Sequence, residues 1–258
     1  MEQIEKGLLP KRELYFVFGA LMLGMLLAAL DGTIVSTALP TIVGDLHGSS
    51  HLAWVVVAYL LATTVSTPMW GKLGDLYGRK QFFQWAIVLF LLGSVLCGFS
   101  TSMFELILFR ALQGLGGGGL MVGAQAVIAD IVPPRDRGRY AGMFGGVFGA
   151  ATVLGPLLGG VIVEYWSWRW IFFVNVPFGI VALFVTAAAL PKSRERVAHV
   201  LDFAGTLVMT VSASALILFT SLGGSTFAWT SWISMALLAV GLVAGVAFVV
   251  IERRAVEP

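Results

Sequence analysis

Gly71-Lys72-Leu73-Gly74-Asp75-Leu76-Tyr77-Gly78-Arg79-Lys80 is a short stretch, rich in glycine and charge, between two long apolar runs. His51 to Trp70 precedes it and Gln81 to Met103 follows, and neither run contains an Asp, Glu, Lys or Arg. Each run reaches the roughly 20 residues that a helix needs to cross a bilayer. The stretch therefore reads as a tight polar turn joining two membrane crossings, with its tip held at one surface.

Composition extends that reading to the whole chain. Of 258 residues, 58% are hydrophobic and 12% charged, with a mean hydropathy of +0.92. A soluble domain carries about twice that charged fraction. The apolar runs predict an all-α integral membrane protein with eight spans, near Leu14–Leu39, His51–Trp70, Phe82–Ser100, Phe104–Ile131, Tyr140–Glu164, Trp170–Leu190, Phe203–Leu222 and Trp232–Ile251. The first run is too long for the core of a secretion signal and is read as a retained span. The single cysteine, Cys97, excludes an intrachain disulfide. No metal-ligand cluster, Ser/His/Asp set or basic nucleic-acid face is visible, and His47, His51 and His199 fall at loops or span ends.

Basic residues give the orientation. Lys6, Lys11 and Arg12 precede span 1, and Lys72, Arg79 and Lys80 follow span 2. Arg135, Arg137 and Arg139 follow span 4, Lys192, Arg194 and Arg196 follow span 6, and Arg253 and Arg254 follow span 8. These all fall on one side of the predicted topology, the opposite loops hold only Arg169, and Arg110 lies within a span. The positive-inside rule makes the basic side, with both termini, cytoplasmic. The organisation expected is a cytoplasmic N-terminus (1–13), a six-span bundle (14–190), a charged cytoplasmic linker (191–202), an additional helix pair (203–251) and a cytoplasmic tail (252–258).

Two ionisable residues sit at membrane depth, where a charge costs at least about 2.5–3.5 kcal/mol unless it is paired or hydrated. Asp31 lies nine residues before Pro40, and Arg110 eight residues after Ser102. Taking Pro40 and Ser102 as the outer ends puts both groups roughly 12–14 Å deep. Opposite charges at one depth suggest a shared interior cavity. The functional reading is that Asp31 takes up and releases a proton while Arg110 tunes it. The alternatives are a static ion pair, or an Arg110 bonded to Gln113 and nearby backbone. Glycines four apart recur in spans 4 and 5, as in Gly114/Gly118, Gly119/Gly123, Gly142/Gly146, Gly145/Gly149 and Gly155/Gly159. Such spacing lets helices approach closely in lipid. Pro156 permits a bend beside Gly155. Gly114-Leu115-Gly116-Gly117-Gly118-Gly119 lacks the preceding strand of a phosphate loop. At the turn, Asp75 and Arg79 can pair, with Asp130 as a further partner and helix capping as another use of Asp75.

Taken together, these stretches resemble the major facilitator superfamily. Gly71 to Lys80 is similar to its signature loop between helices 2 and 3. Leu106 to Gly116, with Arg110, Gln113 and Gly114, resembles its helix 4 motif, and Gly142, Gly155-Pro156 and Gly159-Gly160 resemble its helix 5 antiporter motif. Leu30-Asp31 to Pro40 and Trp168 to Pro177, including Asn175, resemble the fourteen-helix drug:proton antiporters. Leu76, Ser36 and Ala151 depart from the family pattern. The resemblance implies a six-helix N-terminal bundle followed by an extra helix pair, and proton-driven export of drugs or other small amphipathic molecules across the plasma membrane. It implies proton coupling by Asp31 and Arg110, with a proton gradient in place of a cofactor. It also implies a conformational switch built on Gly71, Asp75, Gly78, Arg79 and Asp130, and a hinge at Gly155 and Pro156. The partners expected are a small-molecule substrate, the bilayer and an absent C-terminal half, without nucleic acid. An exporter of an endogenous metabolite, lipid or siderophore, or a non-transporting sensor or assembly subunit, are the competing readings. An enzyme using Asp31 lacks a second acid or nucleophile at similar depth.

Overall fold

The computed structural model describes residues 11–190 and 203–253. The linker expected at 191–202, the residues before 11 and those after 253 lie outside the described residues, and with them Lys6, Lys192, Arg194, Arg196, His199 and Arg254. The described chain is helical: α1 (Lys11–Asp45), α2 (Leu52–Tyr77), α3 (Arg79–Phe99), α4 (Met103–Ile131), α5 (Arg137–Tyr165), α6 (Trp170–Phe173), α7 (Asn175–Ala189), α8 (Phe203–Leu222) and α9 (Trp232–Glu252). Eight stretches are long and apolar enough to cross a membrane, α6 and α7 forming one of them with a break at Val174. Helices satisfy every backbone polar group internally, as a lipid environment demands.

Two sequence expectations are corrected. The stretch from Gly71 to Lys80 is not a loop. The helix runs on through Tyr77, Gly78 alone leaves helical geometry, and α3 starts at Arg79. Gly78 has φ 112° and ψ 119°, a conformation that glycine enters without a Cβ penalty. Its N–H donates to the Gly74 carbonyl at 2.9 Å, closing α2. Glycine weakens helices in water, but Gly71 and Gly74 lie in a turn packed beside Val122 and Arg79, and packing overrides propensity. Likewise α1 does not end near Leu39. Pro40 is inside the helix, which continues to Asp45, because a proline there removes only one backbone donor. Asp31 is thus about 21 Å from the end of its helix and Arg110 about 10 Å from the start of its own, so the depth count based on Pro40 does not stand.

The core is organised around α4, which packs on both α2 and α3. Its glycine run explains how close those contacts are. A Cβ on Gly116 would fall 2.7 Å from the Phe90 Cα and the Ala86 carbonyl of α3, and one on Gly114 would meet the Tyr59 carbonyl of α2. The carbonyls exposed by this approach take hydrogen bonds from α2: Thr63 Oγ1 donates to Gly114 (3.1 Å), and Ser66 Oγ (3.1 Å) and Trp70 Nε1 (2.6 Å) to Leu115. α1 rests on α5 and α7, while α8 and α9 pair and α8 lies against α2.

The glycines of α5 behave differently. The helix buries one stripe, Phe144, Val147, Ala151, Gly155, Gly159 and Ile162, chiefly against α1. Gly155 and Gly159 accommodate Thr33 and the Ile34–Thr37 turn. Gly142, Gly145, Gly146, Gly149 and Gly160 have open space where a Cβ would be. The pairs Gly142/Gly146 and Gly145/Gly149 therefore pack against nothing among the described residues, since they lie off the buried stripe.

A valine at Gly116 should lower stability by about 1–3 kcal/mol through overpacking. An alanine at Gly145 should stay within about 0.5 kcal/mol of the unaltered protein. Denaturant unfolding of the detergent-solubilised chain measures both.

Candidate functional site

The site is a buried polar cluster at the meeting of α1, α3, α4 and α7. Asp31 is fully buried and Arg110 is 1% exposed. Arg110 NH1 donates to Asp31 Oδ2 at 2.5 Å and to Gln113 Oε1 at 2.7 Å. Gln113 Nε2 donates to Asp31 Oδ1 at 2.8 Å, and Asn175 Nδ2 donates to the same oxygen at 3.0 Å. One carboxylate thus accepts three hydrogen bonds from two helices besides its own. Arg110 and Gln113 are one turn apart on α4, which is why both reach it. Asn175 arrives because the break at Val174 places it at the first position of α7.

Surrounding groups fix the pair. The Arg110 guanidinium lies 4.2 Å from the ring centre of Tyr59, a buried cation–π contact. Its Nε approaches the Val55 carbonyl at 3.4 Å. The Tyr59 hydroxyl is buried with no hydrogen-bond partner of good geometry among the described residues and occupies the space left by Gly117. Ser94 Oγ accepts from Asn175 Nδ2 (3.0 Å) and donates to the Phe172 carbonyl (2.8 Å). Gly93 lets α3 approach so near that a Cβ there would lie 2.5 Å from the Gln113 Cα.

A second cluster forms at the α2–α3 joint. Arg79 pairs with Asp75 at 2.9 Å and with Asp130 at 3.0 Å, and NH1 also donates to the Ala126 carbonyl. Among the described residues Asp75 caps no helix; Gly78 precedes α3 without a side-chain cap. Lys80 Nζ donates to the Ala187 and Leu190 carbonyls at 2.6 and 2.7 Å, closing the C-terminal end of α7. Lys72 Nζ reaches Thr206 of α8 at 2.8 Å. The three basic residues of the quoted stretch thus fasten three different helices. Gly71 and Gly74 border a small recess beside Arg79 and Phe83.

The structure therefore brings Asp31, Arg110 and Gln113 together, and separately Asp75, Arg79 and Asp130. Gly155 and Gly159 sit against α1 with Pro156 exposed between them, while Gly142 and Gly160 contact nothing across a Cβ-sized gap. Sequence reasoning did not assign Ser94, Tyr59 or Asn175 to the site, since uncharged groups in apolar helices carry no cost that singles them out. It also left out an end clamp. Asp45 Oδ2 accepts from Trp168 Nε1 (2.8 Å) and Arg169 NH1 (3.2 Å), and Arg169 NH2 reaches the Ser100 carbonyl (3.1 Å). The lone arginine among otherwise unbasic loops was its signal.

Comparison with known proteins gives these geometries a context. The family model described as Major Facilitator Superfamily matches residues 21–252. The chain is 44% identical over 243 residues to Multidrug resistance protein 3 of Bacillus subtilis, covering 94% of this chain and 48% of that protein. It is 41% identical over 258 residues to Multidrug transporter protein MdtP of the same organism, covering 100% of this chain and 47% of that protein. The chain spans about half the length of these curated relatives. Among solved structures, the human organic anion transporter MFSD10 superposes with a TM-score of 0.67 at 19% identity, over 91% of this chain and 61% of that one. The proton:xylose symporter XylE does so at 0.64 and 15%, over 92% and 54%. At these identities the structural likeness concerns the fold.

Arg110→Met leaves a buried carboxylate without its counter-ion and should lower stability by about 3–5 kcal/mol. Adding Asp31→Asn to it should restore most of that loss, because the amide needs no counter-ion. A double-mutant cycle by denaturant unfolding in detergent checks both expectations.

Proposed function

We propose, since this chain belongs to the major facilitator superfamily, that it forms the N-terminal, proton-coupling part of an exporter of drugs or other small amphipathic molecules. The observation that carries the reading is the buried Asp31–Arg110 pair, completed by Gln113 and Asn175. A carboxylate held at membrane depth by this many donors is costly to place there and is characteristic of proton relays and substrate pathways. The names of the relatives support drugs as the cargo. The protein is multi-pass in the membrane, the bias of basic residues supports cytoplasmic termini, and the plasma membrane is the location that goes with an exporter.

In this reading proton uptake on Asp31 neutralises the carboxylate and weakens its hold on Arg110. Loss of that ion pair alters the balance between two arrangements of the bundle, and a proton gradient sets which is populated. Asp75, Arg79 and Asp130 act at the cytoplasmic surface as a clasp that holds one of them, with Gly71 and Gly78 letting the backbones meet. Gly155 and Pro156 serve as the bending point of α5 over α1. Transporters of this architecture bind cargo between two halves that rock around it. A complementary half facing this chain is accordingly part of the proposal.

Cells expressing residues 1–258 alone should not export a fluorescent lipophilic cation. The same chain joined to the C-terminal half of a relative should export it in proportion to the imposed pH gradient, and Asp31→Asn should abolish that export. Gradient-driven export by residues 1–258 alone, or unchanged export by the joined Asp31→Asn variant, refutes the reading.

A further inference from the structure

The donors to Asp31, and Ser94 behind them, each have a fixed direction. Asp31 Oδ1 accepts from Gln113 and Asn175, and Oδ2 accepts from Arg110. The Asn175 amide presents its NH2 to both Asp31 and Ser94, because the Ser94 hydroxyl has its single hydrogen on the Phe172 carbonyl. Phe172 is the penultimate residue of α6, two positions before the break at Val174. Asn175 is 2% exposed and Ser94 fully buried, so no solvent competes for these bonds.

A proton on Asp31 conflicts with that arrangement. Both oxygens face donors, Arg110 at Oδ2 and Gln113 and Asn175 at Oδ1. A guanidinium can only donate, whereas an amide can present its oxygen instead, so Oδ1 is the side on which a neighbour can exchange a donor for an acceptor. The new O–H then needs an acceptor. Gln113 cannot turn over to supply one, because its Oε1 already accepts from Arg110 and its NH2 would replace it there. Asn175 can. Turned over, its Oδ1 accepts from Asp31 and faces Ser94, whose hydroxyl then has a carbonyl acceptor on that side. Gln113 Nε2 keeps its bond to the remaining lone pair of the Asp31 hydroxyl.

We propose that Asn175 and Ser94 form a relay that carries the protonation of Asp31 to the α6–α7 joint: the amide turns over, the Ser94 hydroxyl leaves the Phe172 carbonyl, and the backbone beside the break loses its tie to α3. The inference rests on the reading of Asp31 as a proton site. The titratable or charged groups facing Asp31 are Arg110 on α4, Tyr59 on α2 and Cys97 on α3. α5 between residues 141 and 163, and α6 and α7 throughout, carry none. Asn175 and Ser94 are positioning residues, and the joint is what they position.

The sequence itself offers the probe. Only Phe82–Phe83 and Phe172–Phe173 are consecutive phenylalanines. Protein labelled with carbonyl-13C and 15N phenylalanine gives carbonyl–amide NMR correlations for these two pairs alone. The Phe172 signal reports the bond to Ser94, and the Phe82 signal, about 18 Å away along α3 by helical rise, is an internal reference. In the purified full chain, the Phe172 carbonyl signal should move to lower chemical shift on acidification, in step with the Asp31 carboxyl band followed by infrared spectroscopy, while Phe82 stays. Ser94→Ala and, independently, Asn175→Ala should abolish the movement although the carboxyl band still titrates, and Asp31→Asn should abolish both. A titrating carboxyl band with a stationary Phe172 signal overturns the relay and leaves the proton site intact, as does an undiminished Phe172 response in Ser94→Ala. Absence of any Asp31-dependent carboxyl band overturns both.

Discussion

The burial of one carboxylate governs the arrangement of the first seven helices. Asp31 is shut off from bulk solvent, so the protein supplies donors. Arg110 and Gln113 of α4 and Asn175 of α7 converge on two oxygen atoms. An isolated charge in such surroundings is prohibitively costly, and a buried pair repays its desolvation only when the remaining hydrogen-bonding positions are also filled. That requirement fixes the rotation of α4 about its axis, the placement of α7 after the Val174 break, and the close approach of α3 through Gly93. Tyr59 lays its ring face against the Arg110 guanidinium.

Glycine makes the convergence sterically feasible. The run from Gly114 to Gly119 allows α2 and α3 to contact α4 almost backbone to backbone, and the carbonyls brought out by that contact are used by Thr63, Ser66 and Trp70. Without a hydrophobic driving force between helices in lipid, such packing and hydrogen bonding hold the bundle together. α5 shows the same residue type with a different outcome: one face fitted to α1, the other open.

Much of this was legible in the sequence. Apolar runs counted the spans, and the two intramembrane charges identified each other because each needed a counter-ion that little else could provide. Asp75, Arg79 and Asp130 were recognisable for the same reason. Backbone course was less so. Glycine and proline mark turns in water, and that rule misplaced the ends of both α1 and α2, where packing kept Gly71 and Gly74 helical and exposed Pro40 cost the helix only one backbone donor. Neutral partners such as Ser94 and Asn175 acquire meaning only from what they touch. The resemblance to a known family drew attention to Asn175, but its bond to Asp31 became visible only in three dimensions.

Gly78 has a further implication. A joint of one residue between α2 and α3 has no slack in length or in phase. Each residue of an α-helix turns the chain by about 100°. A single insertion absorbed into the first turn of α3 would carry Gly93 and Ser94 a quarter-turn or more away from α4 and α7. Chain length at this corner is thus under as strict a geometric constraint as any side chain in the interior, and the register of the polar cluster is set at a point far along the helix from it.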